Sequence, residues 1–234
     1  MQLLRLLLWI QKVSWLRGVA FFSGGKDSIF AVMKARENNI PVDYLLFNTH
    51  SFPTPNPHEI NNQLVGSIAR LVGVPLKVLH LEAGREYASL VKLFSDLDIG
   101  VVVIGNINVR DQIEWYERLC LEAGVALYAP LWSGDGRSSL SILIDELKSG
   151  VKAMICGIMK SVLPAQFLGR VIDYDLAESL ADLIDPCGEG GEYHTIVLEA
   201  PLMSGRVIIE EFSKIEYGDR VMLKVEKFRA ECKK

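Results

Sequence analysis

The chain has 234 residues, 50% of them hydrophobic and 23% charged, so it has material for a substantial core and does not read as disordered. Its net charge of −4 gives no basic footprint, which argues against general nucleic-acid binding. Four cysteines, Cys120, Cys156, Cys187 and Cys232, lie far apart without a C-x-x-C pair, which argues against a thiol metal site or redox dithiol and fits reduced thiols in a cytoplasm.

The apolar run Leu3 to Ile10 is too short to span a bilayer, and no small-residue cleavage site follows it. Residues 1–17 are therefore read as an N-terminal extension, not a targeting segment or anchor. A short helix there would pack on the domain or against a second copy of the chain, and a start codon set upstream of the functional one would account for the run equally.

Gly18 to Phe22 reads as a buried strand and Ile29 to Arg36 as a helix, so Ser23-Gly24-Gly25-Lys26-Asp27-Ser28 forms the turn between them. Two glycines admit an anion close to the backbone, the helix start offers N–H groups and its positive dipole end, and Lys26 adds a cation. A Walker P-loop needs Gly at position 20 and Ser or Thr at 27, where this chain has Ala20 and Asp27. An ordinary glycine turn capping a helix is the bland alternative. S-G-G-x-D-S resembles the PP-loop of the N-type ATP pyrophosphatases, which implies cleavage of ATP between its α and β phosphates. A carboxylate beside pyrophosphate is tolerable mainly with Mg²⁺ between them, so Asp27 is the expected metal contact, direct or through water.

Val42 to Asn48 follows as a strand, then a loop from Thr49 to Pro57 with three prolines, which stop helix and sheet alike. The next elements read as helix 58–73, strand 76–81, helix 86–97, strand 100–105, helix 108–124 and strand 125–128. This alternation predicts an α/β fold, a doubly wound parallel sheet of Rossmann-like type with right-handed crossovers and ligands at the strands' carboxyl ends. The Gly, Pro and Ser cluster from Pro130 to Gly136 sets a boundary between a domain at 18–132 and one at 133–234. Helices at 139–148 and 176–184, with strands at 153–159, 195–198, 207–211 and 221–228, make the second a smaller α+β domain.

Within it, Asp185-Pro186-Cys187-Gly188-Glu189-Gly190-Gly191-Glu192-Tyr193-His194-Thr195 carries too much polarity for a linker. It reads as a substrate loop, with a solvated surface turn as the alternative. His58 and Glu59 could touch nucleotide or acceptor, but a polar helix start explains them as well; structural roles account for His50 and His80, and burial for Cys187 and Trp132.

Together the two loops resemble the diphthine–ammonia ligase family, in which an ATP pyrophosphatase domain of the adenine nucleotide alpha hydrolase type precedes a smaller domain with a G-E-G-G-E-Y loop. The likeness runs from about residue 18 to about 212 and includes Gly105, Gln112, Glu117, Cys120, Ala129 to Trp132, Leu163, Leu168 to Arg170 and Pro201-Leu202. It departs from the family's pattern at Asn106 to Asp111, at Trp115, and at His194, where many relatives carry an acidic residue. The resemblance implies ATP and Mg²⁺ as cofactors, ammonium as nitrogen donor, and diphthine on translation elongation factor 2 as acceptor, amidated through an acyl adenylate. It assigns Ser23, Gly24, Gly25 and Ser28 to the pyrophosphate, Lys26 to its charge, Phe47 and Asn48 to adenine, and Gly105 to the nucleotide's border. Gln112, Glu117, Gly188, Glu189, Gly190, Gly191, Glu192, Tyr193 and His194 would face the acceptor, with Glu189 and Glu192 holding ammonium and taking its proton. Competing readings are a PP-loop enzyme with another acceptor, such as a tRNA base or metabolite acid, and a nucleotide-binding module without catalysis.

Overall fold

A computed structural model describes residues 17–51, 55–134 and 138–233. The reading of residues 1–13 as a packed helix lies outside the described residues.

The first half alternates strands with helices: β1 (Arg17–Phe21), α1 (Lys26–Glu37), β2 (Tyr44–His50), the short α2 (Pro57–Ile60), α3 (Asn62–Val72), β3 (Leu76–Leu81), α4 (Glu86–Asp96), β4 (Ile99–Val103), α5 (Arg110–Ala123) and β5 (Ala126–Tyr128). The five strands pair in parallel in the order β3-β2-β1-β4-β5. Alternate strand residues point to opposite faces, and both faces are covered. Ala20, Leu45, Phe47, Val101 and Val103 meet α1 and α3 on one side, while Val19, Leu46 and Val102 meet α4 and α5 on the other. The strand order reverses at β1, so a crevice opens between the carboxyl ends of β1 and β4, where α/β sheets take their ligands.

The second half holds α6 (Ser139–Lys148), β6 (Lys152–Met159), α7 (Tyr174–Ala181), β7 (Tyr193–Glu199), β8 (Gly205–Tyr217) and β9 (Arg220–Cys232). Strands β6 to β9 close into a four-stranded antiparallel barrel. One hydrophobic cluster joins the halves, running from Val32, Val65 and Ile68 to Ile142, Ile155, Leu176 and Val207.

Several element bounds differ from those read in the sequence. The helix expected over 58–73 breaks at Asn61, whose amide donates to the carbonyls of Pro57 at 2.7 Å and Leu223 at 2.9 Å. Its side-chain oxygen accepts from Val225 N at 2.8 Å, so the break fastens α2 and α3 to β9. The last two strands run well past their apolar cores, because each pairs the other along a 13-residue hairpin whose outer part is laced by charged side chains. Helix α7 starts earlier than read, at an N-cap where Asp173 accepts from Leu176 N.

Candidate active site

The turn after β1 is built as its residue types require. Gly24 has φ of +77°, a left-handed conformation that favours glycine. Ser23 Oγ accepts from Gly25 N at 3.2 Å, and Ser28 Oγ donates to Gly25 O at 2.9 Å, closing the turn onto the first turn of α1. Gly105, just past β4, packs against the same turn: a Cβ there would stand 2.8 Å from Asp27 O and 3.1 Å from Ser28 N.

Strand β7 joins the second half to this turn. Val197 N donates to Gly24 O at 2.8 Å, and Thr195 Oγ1 accepts from Lys26 N at 3.1 Å. Because the glycine-rich loop leads directly into β7, these bonds place that loop beside the turn. Glu189 Oε2 then reaches the β4–α5 connection and accepts from Ile107 N at 3.0 Å and Asn108 N at 3.3 Å. Asp185 fixes the loop's base, accepting from Ser139 Oγ at 2.6 Å, Asn108 Nδ2 at 3.1 Å and Cys187 N at 2.9 Å. Partial burial alone would raise the Asp185 carboxyl, but these hydrogen bonds outweigh it and hold the group below the usual carboxylate range. Burial pushes Glu189 up, with Asp27 adding to the shift against the two backbone N–H groups.

Two cavities meet here. One, about 400 Å³, is walled by Phe21, Phe47, Asn48, Gly105, Trp115 and Tyr116, with Ser23, Asp27 and Ser28 at its floor. The other, about 340 Å³, is walled by Gly25, Cys187, Gly188, Gly190, Gly191, Tyr193, His194 and Thr195. Ser23, Asp27, His58, Gln112 and Glu189 line both.

The structure thus collects most of the residues singled out in the sequence, and leaves four of them elsewhere. Gly24 shapes the turn without lining a cavity, and Lys26 lines neither. Glu117 is exposed on α5, away from both cavities. Glu192 lies behind the loop, where a Cβ at Gly190 would come within 2.8 Å of its Oε1. Cys187 is buried, its thiol directed to Ser139 O at 3.1 Å and pushed up by burial.

Three residues carry more of the site than the sequence suggested. His58 borders both cavities and packs edge to face on His194, with ring centroids 5.5 Å apart. Burial lowers His58 to about 3, with His194 adding to it. Burial and then Arg220 lower His194 to about 4. Asn56, the N-cap of α2, accepts from His58 N at 2.8 Å, and this Asn-Pro-His order was the available signal. Glu146, on α6, is 1% exposed and lies 3.6 Å from Lys26 Nζ. Its spacing with Ser139, Ile142 and Leu143 puts it on the helix's buried stripe, a carboxylate where the pattern calls for an apolar residue. Asp185 was read as part of the loop, but not as its anchor.

Burial alone would lower the Lys26 ammonium, yet Asp27 and Glu146 together outweigh it and keep Lys26 charged. Its Nζ contacts Asp27 Oδ1 and stands over the Tyr193 ring, 5.8 Å from the centroid. Burial drives the Glu146 carboxyl upward, against the pull of the Lys26 ammonium.

The family model described as the diphthamide synthase N-terminal domain matches residues 16–127, and that described as the diphthamide synthase C-terminal domain matches residues 139–230. Over 240 residues the chain is 26% identical to the diphthine–ammonia ligase of Danio rerio, covering 87% of this chain and 90% of that one. The diphthine–ammonia ligase of Mus musculus is also 26% identical, over 87% of this chain and 86% of its own. That of Homo sapiens is 24% identical over 83% of each.

Proposed function

The chain belongs to the diphthamide synthase family, and from that premise we propose that it is an ATP-dependent ligase converting the carboxylate of diphthine on elongation factor 2 to the amide, with ammonium as nitrogen source. The observation that carries the reading is the shared wall: Ser23, Asp27, His58, Gln112 and Glu189 border both cavities, so a nucleotide in one and an acceptor in the other would have their reacting groups side by side.

The larger cavity suits ATP. Asn48 Oδ1 is buried in its wall with no hydrogen-bond partner, an acceptor where adenine's amino group is a donor. Phe21, Trp115 and Tyr116 give the base aromatic walls. Ser23, Ser28 and the turn's backbone would hold the phosphates at the start of α1. Among the described residues no group of three His, Cys, Asp or Glu side chains could hold a metal. Mg²⁺ needs none, since one carboxylate and phosphate oxygens suffice, and Asp27 at the cavity floor is that carboxylate. The bound ion would offset the phosphate charge.

In the chemistry this implies, an oxygen of the acceptor carboxylate attacks the α-phosphorus, an acyl adenylate forms, and pyrophosphate leaves. Ammonia then attacks the acyl carbon and AMP leaves. Glu189, anchored through Oε2, keeps its other oxygen available to hold ammonium and take its proton. The buried imidazoles of His58 and His194 stay neutral and give the acceptor cavity a polar wall without a competing charge. The chain would work in the cytoplasm, where the factor resides. No helix among the described residues is long and apolar enough to cross a membrane.

Incubation with ATP, Mg²⁺ and ammonium, with and without elongation factor 2 carrying diphthine, tests this. AMP and pyrophosphate formed only with the factor, together with the mass change of acid to amide, are expected. ATP cleavage without amidation would move the search to another acceptor, and binding without cleavage would make the chain a nucleotide sensor.

A further inference from the structure

A buried carboxylate stands behind the phosphate turn, without a hydrogen bond and with Lys26 at ion-pair distance. Glu146 projects from α6 into the interior, and neither of its oxygens has a hydrogen-bond partner. Such burial is costly and rarely left uncompensated. The nearest cation is Lys26 Nζ, at an ion-pair distance but beyond a hydrogen bond. Lys26 is itself 2% exposed and lines neither cavity, so its ammonium is turned away from the space a nucleotide would fill. What connects it to that space is Asp27, which shares its Oδ1 with Lys26 and lines both cavities.

We propose that Glu146 is a positioning residue: with Lys26 it forms a buried counter-ion couple that sets the direction of the Asp27 carboxylate, so Lys26 serves the nucleotide through Asp27 and not by touching phosphate. A lysine stem is long and flexible, and an ammonium has three donors to place. With Asp27 as its sole anion, Lys26 would follow that carboxylate whenever it turned toward a ligand. Glu146, fixed on a helix, is the second anion that holds the ammonium inside while Asp27 faces the cavity. The Tyr193 ring beneath Nζ closes the remaining side and ties the couple to the glycine-rich loop.

The inference rests on the ATP reading above. The test compares wild type with Glu146→Gln, Lys26→Met and the double variant Lys26→Met/Glu146→Met. For each, the dissociation constant for ATP is measured without divalent cation and with Mg²⁺, alongside kcat and KM for pyrophosphate release. Glu146→Gln is expected to bind metal-free ATP within about 2-fold of wild type while losing about 10-fold or more in kcat and in the Mg²⁺-dependent gain of ATP affinity. Lys26→Met should shift the same quantities in the same direction, and the double variant should be no worse than Lys26→Met alone. If Lys26→Met leaves too much unpaired charge to fold, the apolar double variant restores the fold and supplies the comparison. Wild-type kcat in Glu146→Gln would overturn the proposal. So would a loss of about 10-fold or more in metal-free ATP affinity on Lys26→Met alone, because Lys26 would then be a phosphate ligand. A wild-type protein that binds no ATP would instead remove the ATP reading itself.

Discussion

At the residue scale, the turn after β1 depends on one close approach that a single carbon would spoil. Gly105→Ala sets a Cβ against the backbone of Asp27 and Ser28, atoms that cannot rotate aside, so β4 and the start of α1 must move apart. Calorimetric titration should show ATP affinity down by about 5- to 150-fold, the equivalent of roughly 1–3 kcal/mol. Glu189→Gln is a gentler change, since a glutamine oxygen can still accept from Ile107 N and Asn108 N. That variant should keep the wild-type melting temperature while amide formation falls at least about 100-fold, the range of general-base losses. Full amide formation would take the base role away from Glu189. Ser23, Asp27 and Glu189 were legible because glycine, hydroxyl and carboxylate types cluster in short stretches of chain, whereas Gly105 was reached only through the family resemblance. Glu146 was not, because its meaning comes from a lysine about 120 residues earlier, and a glutamate in a helix reads as a solvated face.

At the element scale, α2 and β7 hold the imidazole pair whose burial has a consequence for acid stability. Unfolded, each histidine takes a proton near pH 6.5. Folded, burial defers that to about 3 for His58 and about 4 for His194. Between these limits the unfolded chain binds more protons, so their contribution is complete above about pH 6.5 and declines as the pH falls toward 4, by up to about 1.4 kcal/mol per pH unit for each imidazole. Denaturant melts at pH 7, 6, 5 and 4 should show this slope, and His58→Phe should flatten it; an unchanged slope would show that His58 is not held neutral. Asn61 governs the neighbouring join. Asn61→Ala leaves Leu223 O and Val225 N buried without their partner, which should cost about 2–4 kcal/mol and lower the melting temperature. The strands and helices of the parallel sheet were readable from their periodicity. The break at Asn61 was not, since asparagine continues a polar helical pattern and only its contact with β9 explains it. The outer hairpin was legible only in part, because cross-strand charge pairs carry no apolar signal.

At the scale of the whole molecule, the halves share one core, and β7 lies on the turn after β1, so the cavities are fixed relative to each other. A sequence can reveal two polar loops separated by some 160 residues. It cannot show that Val197 and Thr195 bond to Gly24 and Lys26, which is what turns two loops into one site. In the proposed reaction the acceptor's carboxylate attacks the nucleotide across the wall formed by Asp27 and Glu189, and the path of its oxygens decides whether it does. Elongation factor 2 with diphthine labelled in its carboxylate with oxygen-18 is incubated with the protein, ATP, Mg²⁺ and ammonium, and the products are weighed by mass spectrometry. One heavy oxygen is expected in AMP, none in pyrophosphate, and the other retained in the amide. Heavy oxygen in pyrophosphate or inorganic phosphate, or unlabelled AMP beside amidated factor, would contradict that path.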